Sequence, residues 1–86
     1  MQAARVIGNA HGTVKHPSLQ GWPLLVVQPL DIRSEPDGFP LLVIDRQGAG
    51  LGEMVFISSD GPAIREMVGR RDCPVRFAVT GILDSQ

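Results

Sequence analysis

Apolar and polar residues alternate along most of this chain, with a period of two rather than 3.6. Ala4, Val6, Gly8 and Ala10 fall on one face while Arg5, Ile7 and Asn9 take the other, which predicts a first strand over residues 4–10. A second strand is predicted over 22–30. Its Leu24-Leu25-Val26-Val27 run is apolar at every position, so it has no face left for water. Such a run is buried on both sides, either in a closed barrel or at a subunit contact. Pro23 and Pro29 sit near its ends; each lacks a ladder N–H and marks a strand end or an edge. Residues 39–45 and 53–58 read as the third and fourth strands, the latter with Met54 and Phe56 opposite Val55 and Ile57. The fifth covers 74–83, with Val75, Phe77, Val79 and Gly81 against Arg76, Ala78, Thr80 and Ile82.

The segments between the strands carry turn chemistry. Pro36-Asp37-Gly38 is a turn signal, because proline presets φ and glycine accepts φ > 0. Gly48-Ala49-Gly50-Leu51-Gly52 forms a glycine loop between the third and fourth strands. Ser58, Ser59 and Asp60 offer capping oxygens, Pro62 suits a first turn, and Gly69 suits a stop, so one short α-helix is expected near 61–68. Ile64, Met67 and Val68 make its apolar stripe, while Arg65 and Glu66 lie outside it. A helix of two turns needs tertiary packing to persist. The expected fold is therefore mainly β: five strands and one short helix in a single domain over 1–86. Antiparallel strands in so short a chain remove their edges by curling into a small barrel. Gly8 and Gly81, interior to strands, are the expected bend points.

Composition adds a constraint. With 86 residues, the chain buries only about 60–65% of its unfolded surface, and domains of that size usually need a staple. Cys73 is the sole cysteine, which excludes an internal disulfide, and one Cys with two His cannot fill a usual zinc site. Oligomerisation remains, and a hydrophobic content of 43% suits it. Eight Lys+Arg against nine Asp+Glu leave a net charge of −1. The only basic doublet, Arg70-Arg71, is followed at once by Asp72, and aromatic residues are 5% with no Tyr. A nucleic-acid footprint needs a basic stripe and stacking surfaces, so no nucleic-acid partner is expected. The longest apolar stretches fall far short of the ~20 residues of a membrane span. No signal peptide is read at the amino terminus, and an unpaired Cys suits the cytoplasm.

Candidate chemistry is sparse. The glycine loop faintly suggests a phosphate cradle, but a strand rather than a helix follows it, and it has no Lys, Ser or Thr. Two other readings stand. One is a turn that needs φ > 0. The other places Gly48, Ala49, Gly50 and Gly52 against a neighbouring subunit or around an opening. A plain hairpin turn would not need three small residues in a row, which favours the latter, and Ala49 separates the two, since alanine gains nothing from φ > 0. His11 and His16 flank a Gly/Pro loop with no other strong ligand nearby. Cys73 lies between Asp72 and Pro74, and a neighbouring carboxylate raises a thiol pKa. Ser58, Ser59 and Asp60 are explained by capping, and Asp45 has no acid or base partner in the sequence. No catalytic set, metal site or cofactor is implied.

Three stretches together resemble the bacterial microcompartment vertex proteins of the EutN/CcmL type. One is Ala4-Arg5-Val6-Ile7-Gly8, with Thr13-Val14-Lys15 and the run from Leu19 to Gln28. The most specific is Val43-Ile44-Asp45-Arg46-Gln47-Gly48-Ala49-Gly50-Leu51-Gly52-Glu53-Met54-Val55. The third runs from Pro74 to Asp84. The pattern departs at Asp60-Gly61-Pro62-Ala63-Ile64-Arg65, where the family's arginine is shifted by one residue, and at Trp22-Pro23. The resemblance implies an OB-like five-stranded barrel and a structural, non-enzymatic role. It implies homopentamers that close the vertices of a polyhedral shell tiled by hexameric shell proteins. The alternative is an OB-fold-like binding module for single-stranded nucleic acid or a small ligand, against which charge and aromatic content speak.

Overall fold

Five strands close into a barrel in the order β1-β2-β3-β5-β4. They are β1 (Gln2–Asn9), β2 (Leu24–Pro29), β3 (Leu41–Ile44), β4 (Met54–Ser59) and β5 (Phe77–Ile82), with a 3-10 turn at Pro17–Leu19 and the helix α1 (Gly61–Val68) between β4 and β5. The structure, a computed structural model, describes residues 2–10, 17–19, 21–59, 61–69 and 74–83. The helix and all five strands stand where the sequence pattern places them. Four strands start later than expected, β2 and β3 by two residues, β4 by one and β5 by three; Pro23 and Pro40, which cannot donate to a ladder, immediately precede β2 and β3.

Four neighbouring pairs are antiparallel, and β3 and β5 run parallel, pairing Val43 with Phe77 and Ile44 with Ala78. This corrects the expectation of antiparallel strands throughout. The reason is parity. Strand direction cannot alternate around a closed ring of odd number, so five strands force at least one parallel contact.

The core divides into two clusters on opposite faces of the sheet. Ala4, Val6, Leu25, Val27, Val43, Val55, Ile57 and Val79 fill the barrel. Outside it, Ala10, Leu19, Leu24, Ile44, Ile64 and Val75 form a second cluster, with Trp22, Val26, Leu42, Met67, Val68 and Ala78 packed against it. Each face of the apolar run in β2 therefore has its own cover: Leu25 and Val27 point into the barrel, and Leu24 and Val26 point into the second cluster.

Two irregularities redirect the alternation. On β1, Val6 pairs with Val27 and Gly8 with Val26, leaving Ile7 as an extra residue. On β5, Val79 pairs with Ile57 and Gly81 with Phe56, leaving Thr80 extra. Both bulges abut the glycines expected to bend the strands. Each bulge shifts the in–out parity by one residue. Ala10 consequently packs in the second cluster rather than with Ala4 and Val6, and Ile82 packs on the barrel cluster although simple alternation sets it opposite Val79.

The helix is held by its apolar stripe. Ile64 is buried in the second cluster, flanked by Met67 and Val68, and Gly69 N–H closes the helix on Arg65 O at 2.8 Å. A two-turn helix has little stability of its own, so Ile64 carries its docking. Ile64→Ala should cost about 2–4 kcal/mol, which in a domain of this size lowers the thermal midpoint by roughly 10 °C or more. Far-UV circular dichroism at fixed protein concentration checks this; a midpoint within a degree or two of wild type would show that the helix is not anchored through Ile64.

Candidate functional site

The glycine loop leaves the barrel at the end of β3 and returns at the start of β4. Asp45 begins it. Its side chain is only 3% exposed, and its backbone N–H donates to Pro23 O at 3.0 Å. The carboxylate turns into the loop: Oδ1 accepts the N–H of Gln47 at 2.7 Å, and Oδ2 accepts that of Ala49 at 2.8 Å. Asp side chains commonly bind backbone amides two or more residues on, which replaces ladder bonds the turning chain has lost. At the other end Glu53 Oε1 accepts the Gly50 N–H, and Glu53 N–H donates to Gly50 O at 3.1 Å. The loop is also tied sideways to β1. Gly52 N–H donates to Val6 O (2.8 Å), Val6 N–H donates to Glu53 O (2.9 Å), and Arg5 Nη1 donates to Gly52 O (3.0 Å).

Gly48 and Gly52 adopt φ of +78° and +84°, so the turn reading of the glycines holds at these two positions. Ala49 is half-buried and packs against the barrel cluster. Its small side chain thus has a role inside its own subunit, and a larger residue there must first displace that packing. Leu51 is the one large apolar side chain between the two carboxylates, and it is 76% exposed. Beside it, at the β1 bulge, Ile7 is 46% exposed, and a groove that reaches down to Val6 and Leu25 and is lined by Ile7, Gly8, Asn9, Ala49, Gly50 and Leu51 joins the two. On the other side of the loop the Arg46 guanidinium stands 6.0 Å from the centre of the Trp22 ring, within cation–π range.

This geometry decides between several readings of the sequence. The N–H groups of Gln47, Ala49 and Gly50 are already taken by the protein's own carboxylates. A phosphate placed there would face Asp45 and Glu53, so the loop is not built as a phosphate cradle. Asp45 uses both oxygens to hold the loop. Gly48, Ala49, Gly50 and Gly52 come together in this one loop, whereas His11, His16, Asp60 and Cys73 lie outside the described residues. Among the described residues no group of three or more His, Cys, Asp or Glu is placed to hold a metal, and no helix is long and apolar enough to cross a membrane. Sequence reasoning missed the bracketing by Asp45 and Glu53 and the exposed Leu51 between them.

The comparison with known proteins fits this loop and barrel together. The family model for "Ethanolamine utilisation protein EutN/carboxysome" matches residues 1–84. The chain belongs to the EutN/CcmL family. Its relatives in that family include the bacterial microcompartment shell vertex protein GrpN of Rhodospirillum rubrum (strain F11), 40% identical over 85 residues that cover 99% of this chain and 94% of GrpN. The carboxysome shell vertex protein CcmL of Synechocystis is also 40% identical over 85 residues, covering 99% of this chain and 84% of CcmL. Among solved structures, the GrpN pentameric microcompartment shell protein from Rhodospirillum rubrum superposes with a TM-score of 0.78 at 36% identity, covering 99% of this chain and 95% of that one. The family match thus runs along nearly the whole chain.

The left-handed backbone at Gly48 makes a local prediction. A Cβ at Gly48 would meet nothing within 4 Å, so Gly48→Ala is strained only through its φ. It should cost about 1–2 kcal/mol. Gly81 also has open space, but with an ordinary φ, and Gly81→Ala should leave stability within about 0.5 kcal/mol. Urea denaturation of the two variants side by side checks the pair; equal stabilities would mean that the loop relaxes its φ at no cost.

Proposed function

We propose that this EutN/CcmL chain is a structural subunit of a bacterial microcompartment shell and assembles as a homopentamer at the shell's vertices. The observation that carries the reading is the end-to-end match, in sequence and fold, to shell vertex proteins, one of them solved as a pentameric shell protein. Flat facets of hexameric shell proteins cannot close on themselves, and five-fold units at the corners supply the missing curvature. A cyclic ring joins two different patches of the same chain, and it closes because the rotation between neighbours is fixed. The role requires no catalysis and no cofactor. It places the protein in a shell within the bacterial cytoplasm, with hexameric shell proteins as partners.

Gly48, Ala49, Gly50 and Gly52 are the candidate subunit-contact or pore residues in this assembly. Two features support that position: the loop holds its shape through its own carboxylates, and it carries exposed apolar surface at Leu51 beside Ile7. Native mass spectrometry tests the assembly. The expected mass is five times that of the chain, and a persistent monomer or a hexamer would sink the vertex reading.

The same barrel type also serves as a nucleic-acid-binding module in other proteins. Net charge separates the two roles. With eight Lys+Arg against nine Asp+Glu, no salt-dependent binding to single-stranded DNA or RNA is expected. Fluorescence anisotropy at about 50 mM salt, where the electrostatic contribution is large, reads this directly. Micromolar binding that falls steeply with added salt would favour the binding-module role.

A further inference from the structure

We infer that Asp45 is a positioning residue for assembly: from the end of the barrel its carboxylate fixes the loop in the shape that presents Leu51 to a second copy of this chain. The inference rests on the pentamer reading and adds to it the contact residue and the group that aims it.

The loop is ordered beyond what joining β3 to β4 requires. Asp45 and Glu53 together accept three successive-turn amides, at Gln47, Ala49 and Gly50. Among the described residues Asp45 is the one buried charged side chain. Burying a carboxylate is costly unless its oxygens are hydrogen-bonded, and here the partners are loop amides. Beside the exposed Arg46, Gln47 and Glu53, this order also leaves apolar side chains facing water. Leu51 is 76% exposed and Ile7, on the adjoining β1 bulge, 46%. A hydrogen-bonded loop with an exposed apolar side chain beside a mostly apolar groove is the arrangement of an interface anchor. Preorganising such an anchor lowers the entropy lost on association.

A second copy is the occupant that fits. The groove and Leu51 are continuous with the small residues proposed above as the subunit contact, and a solved relative at 36% identity is a pentameric shell protein. The groove beside Leu51 is lined by Ile7, Gly8, Asn9, Ala49 and Gly50, so small and apolar residues make up most of the surface next to it.

The two residues make separable predictions. Leu51→Ser removes the contact from an exposed position, so the fold is retained. Asp45→Asn keeps one acceptor oxygen and turns the other into an NH₂ group, which cannot accept an amide N–H. Each variant should raise the protein concentration at which half the chains are assembled by roughly tenfold or more, as truncation of an interface anchor does. The double variant should be no weaker than the more affected single one, because Asp45 acts by presenting Leu51. Coupled residues are non-additive in this way, whereas a loss of general stability adds. Assembly is read by native mass spectrometry over a dilution series, and fold by circular dichroism. Amide exchange at Gln47 and Ala49 should speed up in Asp45→Asn and stay slow in Leu51→Ser. Wild type must assemble first; if it remains monomeric, the pentamer reading itself fails. If wild type forms pentamers and either single variant assembles at the wild-type concentration, the inference is overturned while the pentamer stands. Additive effects in the double variant also overturn it. So does a loss of assembly that follows Ile32→Ser instead of Leu51→Ser, because the contact would then lie in the loop over 31–40.

Discussion

The closing contact between β3 and β5 is the constraint on which the rest of the structure depends. A five-stranded ring must contain a parallel pair, and this chain makes it with very little: Val43 beside Phe77 and Ile44 beside Ala78. Parallel neighbours cannot be joined by a hairpin. The chain between them runs through the glycine loop, β4 and α1 before β5 returns in the direction of β3. The helix is therefore part of closure rather than an ornament on it. Its Ile64 covers Ile44, Leu24 and Val75 from outside while Val43, Leu25 and Val79 face the interior. The bulges at Ile7 and Thr80 serve the same end, since a barrel this small needs points where the strands bend sharply.

Closure also changes what the apolar content means. The Leu24–Val27 stretch invites two explanations, a barrel or a subunit contact, and the fold uses up both of its faces within one chain. The most hydrophobic segment thus says nothing about assembly. What the single chain leaves uncovered is smaller and lies elsewhere: Ile7 and Leu51 around the glycine loop, and Ile32 and Phe39 in the exposed stretch over 31–40. That second stretch is also held by an aspartate, since Asp31 Oδ1 accepts the N–H groups of Arg33 and Glu35. Order without burial is common to both loops. Only the glycine loop combines it with a buried carboxylate and an adjoining groove.

Much of the fold was legible in the residue pattern because a period of two reports the two faces of a strand directly. The prolines told where pairing stops, and Ile64, Met67 and Val68 marked the buried side of α1 correctly. The alternation misplaced Ala10 and Ile82 for one reason. A bulge is a property of two strands in register, and the pattern along one strand carries no trace of its partner. The parallel pair was hidden for a similar reason, though the count of five strands already demanded it. At the loop, the glycines and the Asp-x-x-Gly-Ala-Gly-x-Gly-Glu block drew the eye, and the comparisons place the chain in the family those residues suggested. The work of Asp45 was not visible, because its partners are backbone amides, which every residue from 46 to 52 possesses. An aspartate followed at two and four residues by Gln47 and Ala49 is a signal only once the chain is known to turn there. Leu51 passed unnoticed as one apolar residue among small ones, and its exposure is a fact of three dimensions.

The order in the glycine loop has a cost that locates its use. Fixing one residue's backbone costs about 1–2 kcal/mol, and the loop fixes seven between Asp45 and Glu53, two of them at left-handed glycines. Folding alone gives little return on that cost, because most of these residues stay exposed; Ala49, which packs on the barrel cluster, and the half-buried Gly50 are the exceptions. A return does come when association is repeated around a ring. In the proposed pentamer a mobile loop would be ordered again at every contact, whereas a loop ordered by its own chain is ordered once, before subunits meet. Rigidity has a geometric consequence as well. Five-fold and six-fold rings of similar subunits differ by a modest rotation at each interface, and a yielding contact would tolerate either. If the loop makes the subunit contact, the buried Asp45 carboxylate, with Gly52 tied back to Val6 and Arg5 on the barrel wall, would pass the angle of one barrel to the next with little slack. In the proposed pentamer the angle between neighbouring subunits would then rest on hydrogen bonds made inside each subunit.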